Sequence, residues 1–401
     1  MSEQLPDIDS VRAEVSTWLA DNWNPEWKGQ AQEGPNRVAW LTKVVDAGWA
    51  APQWPKDWFG RDYDDARGRV VREEFTRVGA FGTGQDRTNL WINTLLAFGT
   101  PELKQKLIPG LLRGEVSMCL LYSEPGAGSD LAGVRTKVER DGDEWVVNGQ
   151  KVWTSGAKTA DYGMLIARTD WDVPKHKGLS FFFLPMKQSG VEVRPLHQIT
   201  NESHFNEVFI TDARAPAENL LGRVGEGWKV LVTALAYERS AMGEAARGPR
   251  SGAKVERAKG EDELVALARE ADKLDDPTIR QRLAQVIAWR KLNDLNSARA
   301  KAELEQGTSS SIMSLGKLAM SRILHESARL RTDLLGSSSL LEGADFPRSE
   351  DANFLSLNAY FTSIGGGTDQ VQRNIIGERV LGLPKEPEID KAMPFREVKG
   401  G

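Results

Sequence analysis

At 401 residues the chain has room for two or three structural domains, and 40% hydrophobic with 27% charged residues is the balance of a soluble globular protein. A net charge of −5 argues against general nucleic-acid affinity, and no apolar run is long enough to mark a membrane span. The single cysteine, Cys119, excludes an intrachain disulfide and a Cys-rich metal site, and four scattered histidines offer no metal-ligand spacing. Met1-Ser-Glu-Gln-Leu-Pro-Asp7 lacks the basic and then apolar pattern of a secretory signal, so a cytoplasmic location is expected.

In chain order, Val11, Val15, Trp18 and Leu19 recur at helical spacing after an Asp7 to Ser10 capping region, and Val70, Val71 and Phe75 repeat the theme. Trp54 to Gly60 carries turn chemistry. From about Val116 the pattern predicts strands: Val138 to Arg140, an Asp141-Gly142 turn, Trp145 to Val147, and then Asn148-Gly149, the strongest short-range hairpin dipeptide. Leu179 to Leu184, Val191 to Val193 and Val208 to Ile210 complete a small β domain. Helical spacing returns over Trp228 to Arg239, Pro277 to Asn296, Ile312 to Leu335 and Gln372 to Val380. Glu256 to Asp276 reads as a charged insertion, and the residues after Pro384 as a loose tail.

Three places carry candidate chemistry. Glu124-Pro-Gly-Ala-Gly128 is a Gly-rich turn that lets backbone amides approach a ligand or another strand. Trp153, read alone, is a core tryptophan. Leu231, Ala234 and Leu235 precede Glu238 at helical spacing, so that carboxylate projects from an apolar face, which demands either an internal ion-pair partner or a function.

Tyr122-Ser-Glu-Pro-Gly-Ala-Gly-Ser-Asp130 and Lys151-Val-Trp-Thr-Ser155 together resemble the flavin-binding middle domain of the acyl-CoA dehydrogenase family. The resemblance extends through Glu207 to Pro216, Gly367-Thr-Asp-Gln-Val-Gln-Arg373 and Gly377 to Pro384, roughly 300 residues in all. It implies an α+β fold: an N-terminal helical domain (1–115), a middle β-barrel-like domain (116–224), a C-terminal helical bundle (225–385) and a tail (386–401). It also implies FAD as cofactor. Tyr122, Ser123, Trp153, Thr154 and Ser155 are its expected flavin contacts, Thr368 and Gln370 approach its ADP portion, and Ser129 lies along the acyl-CoA. For Thr368 and Gln370 a plain helix N-cap and first turn is the alternative.

Several departures from the family pattern bear on function. The family's commonest catalytic glutamate immediately precedes the Gly-Thr of the closing run, where this chain has Gly366. Branches of the family place the base on the earlier helix, directly before an arginine, which here makes Glu238 the candidate base and Arg239 its neighbour near CoA. The Arg-x-x-Phe-Gly motif is not recognisable, leaving Arg247, Arg250 and Lys254 as candidate replacements for its arginine, and Asp333-Leu-Leu-Gly336 stands for Gln-x-x-Gly-Gly. The resemblance implies an FAD-dependent dehydrogenase of acyl-CoA passing electrons to an electron-transferring flavoprotein. Its expected assembly is a homodimer or tetramer, or a heterotetramer with an unlike chain of the same family, and the pattern looks like bacterial branches acting on unusual acyl groups, including sterol side chains. A noncatalytic partner subunit and a flavin oxidase on the same fold are the alternatives.

Overall fold

The computed structural model describes residues 5–27, 35–245, 262–305, 312–388 and 390–398, with the side chains of 35, 238–245, 301, 304, 305, 313 and 314 also outside that set. Two compact units form: Met1–Leu196, Ser203–Pro249 and Asp390–Gly401 make the first, and His197–Glu202 with Arg250–Ile389 the second.

The first unit begins with helices. α1 (Ile8–Asn22) starts where Asp7 accepts a hydrogen bond from the Ser10 amide at 2.8 Å, and it buries Val11, Val15 and Leu19. α2 (Pro35–Asp46) follows, then α3 (Asp65–Val78), α4 (Gln85–Thr88), α5 (Leu90–Phe98) and α6 (Pro101–Arg113). Asp64 and Thr100 cap α3 and α6. Trp40 and Trp49 are fully buried, and Trp23 meets Trp40 with ring centroids 4.8 Å apart, so the tryptophan excess of this region is spent on its core.

Eight strands follow: β1 (Met118–Leu121), β2 (Lys137–Asp141), β3 (Glu144–Ser155), β4 (Tyr162–Arg168), β5 (Leu179–Pro185), β6 (Val191–Leu196), β7 (Phe205–Pro216) and β8 (Leu220–Leu221). They form one sheet in the order β6-β7-β3-β2-β4-β5-β8, with β1 parallel to β4. The Asp141-Gly142 turn joins β2 to β3 as expected. Asn148-Gly149 is not a turn. β3 runs straight through it, with a pairing irregularity against β7, and Asn148 exchanges hydrogen bonds with Asp212 instead. Glycine is needed at 149 for space, because a Cβ there would stand 2.5 Å from the Thr136 hydroxyl.

β5 lies where the sequence predicts a strand, but β4 carries no such signal, because the β4–β5 pair is covered on both faces. Met164, Ile166, Phe181 and Phe183 join the core shared with the helices, while Leu165, Ala167, Phe182 and Leu184 join a second core on the other face, so no polar alternation survives. α7 (Gly227–Ala245) packs against α5 and β5. Its first residue must be glycine, since a Cβ would lie 2.5 Å from the Ser180 backbone. Among the described side chains of α7, Val230, Leu231 and Ala234 are buried in the shared core.

The second unit is helical: α8 (Glu263–Glu270), α9 (Pro277–Glu305), α10 (Met313–Leu335), α11 (Pro347–Ile364) and α12 (Asp369–Ile375), with one π-helical turn over Ile376–Val380. Within the predicted charged insertion, α8 is an amphipathic helix capped by Asp262, and it buries Leu264, Leu267 and Ala268 against Ile279, Leu283 and Leu330. Among the described residues no helix is long and apolar enough to cross a membrane. The loose tail expected after Pro384 is also corrected in part: Phe395 is 3% exposed and belongs to the first unit.

Candidate functional site

Just past β1, the chain turns through the Gly-rich motif. Paired backbone hydrogen bonds between Glu124 and Ala127, at 3.1 and 3.0 Å, close the turn and bury Ala127. Gly126 and Gly128 are exposed, and a Cβ on either would meet nothing within 4 Å, so both present bare backbone to open space.

This turn is fastened to the end of β3 by a buried ion pair that sequence reasoning did not assign. Lys151 is fully buried, and its ammonium donates to Glu124 Oε1 at 2.8 Å, to the Tyr122 carbonyl at 3.0 Å and to the Ile166 carbonyl at 2.8 Å. The Glu124 carboxylate also accepts from the Arg135 and Thr136 amides and from the Thr136 hydroxyl. Burial alone would raise this carboxyl, but Lys151 and these donors outweigh it and hold Glu124 below the usual carboxylate range. A backbone bond from the Val152 amide to the Ser123 carbonyl, 3.0 Å, adds a second tie. The available signal was a lysine at an inward strand position facing a glutamate in a Gly-rich turn.

Trp153 follows directly. Its φ of 62° is in the left-handed region, an outlier for so bulky a residue, and the β3–β7 pairing is irregular there. The indole is 56% exposed and meets Phe205 edge-on at 5.9 Å. Ser155 is exposed beside it, while Thr154 turns inward, its Oγ1 buried without a hydrogen-bond partner among the described residues. The Tyr122 ring is likewise inside, edge-on to Phe181 at 5.9 Å. Ser123 is half-buried, and Ser129 is exposed at the far end of the Gly-rich turn.

A flat exposed indole on a strained backbone, two side-chain-free glycines and outward serines fit an aromatic cofactor that stacks on one face and is hydrogen-bonded at its edge.

The remaining predicted residues belong to other elements. Glu238 and Arg239 lie on the backbone of α7, and their side chains lie outside the described residues, as do Arg247, Arg250 and Lys254 entirely. Thr368 caps α12, accepting from the Val371 amide at 3.2 Å, and Gln370 is exposed in its first turn, both in the second unit. Asp333 there is ion-paired with Arg282. Gly366 has φ 64° and its neighbour Gly367 φ 85°, and a Cβ at 366 would meet nothing within 4 Å.

Behind the Gly-rich turn lies a second buried cation. Arg168 ends β4 with no exposed surface, and its guanidinium donates to the carbonyls of Val134, Lys175 and Ala132 at 3.1, 3.1 and 2.6 Å. Burial lowers it to about 10, so it is cationic at neutral pH.

Comparison with known proteins agrees with this architecture. Three family profiles match in chain order: acyl-CoA dehydrogenase N-terminal domain over 6–115, middle domain over 119–213 and C-terminal domain over 225–381. The chain is 37% identical to "Acyl-CoA dehydrogenase IpdE1" of Mycobacterium tuberculosis, covering 95% of this chain and 99% of that one. Among solved structures, the ChsE4-ChsE5 complex of the same organism aligns with TM-score 0.66 at 28% identity, covering 96% of this chain and 100% of that one. A "Tcur3481-Tcur3483 steroid ACAD" aligns with TM-score 0.66 at 26% identity, covering 96% and 100%. The chain therefore belongs to the acyl-CoA dehydrogenase family, flavoprotein oxidoreductases, and its platform of Trp153 and the Gly126 to Gly128 turn lies in that family's middle domain.

Proposed function

We propose that the chain catalyses FAD-dependent α,β-dehydrogenation of an acyl-CoA thioester, with Glu238 as the base. The observation that carries this reading is the fastening of the Gly-rich turn to β3 through Lys151 and Glu124, which holds the exposed Trp153 indole in a strained backbone. Trp153 would stack on the cofactor, Ser123 and Ser155 would meet its edge, and Ser129 would lie along the acyl-CoA. Thr368 and Gln370 would approach the ADP portion. When bound, the flavin supplies a two-electron acceptor for the hydride leaving the β carbon.

The Glu238 carboxylate takes the α proton, which requires a carboxyl raised toward neutrality by exclusion of water when substrate closes the site. Arg239, next in sequence, would meet an anionic part of CoA. Electrons would pass on to an electron-transferring flavoprotein. Glycine at 366 leaves space where a glutamate side chain would stand, and similarity to a steroid ACAD supports a bulky, steroid-derived acyl group. Leu292, Leu295, Tyr360 and Ile364 of the helical unit are exposed apolar residues, which supports an oligomer.

A specific observation also favours a second reading, a noncatalytic chain that completes the site of an unlike partner. The family's usual base position holds a glycine, and the ChsE4-ChsE5 and Tcur3481-Tcur3483 structures are each named for two proteins. One experiment separates the readings: an absorbance spectrum of the chain purified alone, before and after a panel of acyl-CoAs under anaerobic conditions. Flavin bands bleached by one acyl class support the dehydrogenase; a colourless protein supports the partner subunit.

The platform itself can be tested separately. Trp153→Ala removes the stacking surface, and the flavin dissociation constant is expected to rise about tenfold, roughly 1.4 kcal/mol, measured by titrating apoprotein with FAD. An unchanged constant would remove Trp153 from the cofactor site.

A further inference from the structure

The C-terminal segment 390–398 makes contacts that the dehydrogenase reading leaves without a role. Its Phe395 amide donates to the Val173 carbonyl at 2.9 Å and the Arg396 amide to the Trp171 carbonyl at 3.0 Å, while Arg396 forms an ion pair with Asp172. The buried Phe395 ring lies 3.4 Å beneath the Arg168 guanidinium carbon, with Arg135 over it at 5.2 Å and Trp171 beside it at 5.6 Å.

We propose that Phe395 is a positioning residue for the loop that carries Ser129, acting through Arg168. The proposal rests on the functional reading above for the role of Ser129, and on geometry for the rest. Arg168 donates to the carbonyls of Ala132 and Val134, three and five residues after Ser129. Those bonds cross from β4 to the loop and hold the stretch from Ala132 to Val134, between Ser129 and the Arg135 and Thr136 amides that Glu124 ties back to the start of the turn. Lys175 reinforces the same junction, its ammonium 3.1 Å from Asp130 and 4.0 Å from Asp390 of the tail.

The aromatic face supplies what a buried guanidinium lacks on its open side. Three of its five N–H groups are directed to carbonyls, and its flat face would otherwise need water. With the ring in place, water is excluded and each bond to the loop acts in a low-dielectric setting. Without it, water enters beside Arg168 and competes for the Ala132 and Val134 carbonyls. The loop then loosens at the end that bears Ser129.

Two measurements on the full chain, in the assembly in which it purifies, decide the matter. Hydrogen exchange is read without added ligand at the Gly133 and Val134 amides, which bond to the Asp130 and Leu131 carbonyls within the loop. Phe395→Ala is expected to speed exchange there about tenfold, Phe395→Tyr to restore protection, and Phe395→Leu, which fills space without an aromatic face, to fail to do so. In steady-state assays Phe395→Ala is expected to raise KM for acyl-CoA about threefold or more with kcat within about twofold. Unchanged exchange in Phe395→Ala, protection in Phe395→Leu equal to the native chain, or an unmoved KM would each overturn the proposal. A native chain showing no dehydrogenation would instead sink the functional reading, and exchange alone would then decide the clamp.

Discussion

Glu238→Gln is expected to leave the flavin absorption spectrum and flavin content as they are in the native chain while dehydrogenation falls by about 10²- to 10⁴-fold or more. The amide has the size and shape of the carboxyl but cannot accept the α proton, so the loss isolates proton transfer from binding. Glu238 stands seven after Leu231 and four after Ala234 on α7, and both of those residues are buried in the core shared with β4 and β5. Ionised groups at such helical positions are costly unless used or paired. Measured kcat and KM with the acyl-CoA that bleaches the native flavin provide the check. Turnover within twofold of native would remove Glu238 as base and return attention to the partner-subunit reading.

The second large effect is on stability. Lys151→Met leaves the buried Glu124 carboxylate without its cation, and the expected loss is about 3–5 kcal/mol. Replacing both partners, in Lys151→Met with Glu124→Leu, is expected to cost less than the sum of the single changes, because no lone charge remains buried. Glu124 is held below its ordinary range in the fold. Its contribution is therefore complete above the unfolded value of about 4.3 and disappears as pH falls through the lower folded value. Denaturation of native and Glu124→Gln chains should accordingly differ most at neutral pH and converge only in acid, once pH has fallen below the lowered folded value. A Lys151→Met chain within about 1 kcal/mol of native at pH 7 would show that the pair does not hold the turn.

Local chemistry was legible wherever one residue type had one structural meaning. Asp7 announced α1, the Asp141-Gly142 turn announced the β2–β3 connection, and the paired motifs at Tyr122 and Lys151 named the family. The failures share a cause: a local signal overruled by distant contacts. Asn148-Gly149 has hairpin chemistry, yet β7 pairs along it and Thr136 crowds it. β4 hid because its two faces are buried in different cores. α8 hid inside a charged run because only three of its side chains are buried. α11 leaves aromatic residues such as Tyr360 exposed, so its buried face is not marked by its largest side chains.

The site divides the same way. The Gly-rich turn was legible in its residues, whereas Trp153 read alone is a core tryptophan, which its 56% exposure corrects, and only the family resemblance pointed to a cofactor role. The inward turn of Thr154, the Lys151 and Glu124 pair and the docking of Phe395 on Arg168 depend on residues far apart in sequence. Thr368 shows the limit from the other side. Its helix-capping reading is realised in the hydrogen bond from the Val371 amide.

Gly366 also bears on descent. Half of the glycine codons become glutamate codons through one base change, so the family's commonest base is a short genetic step away. The backbone makes that step unfavourable: φ is 64° at 366 and 85° at 367, where an L-residue costs about 1–2 kcal/mol even with open space around its side chain. A lineage that placed a carboxylate there would carry that strain in the loop, as this chain already does at Trp153, unless a second change reshaped it. Under the proposed assignment, the loop and the helix bearing Glu238 would be inherited as a unit, and the relocation of the base would behave as a ratchet.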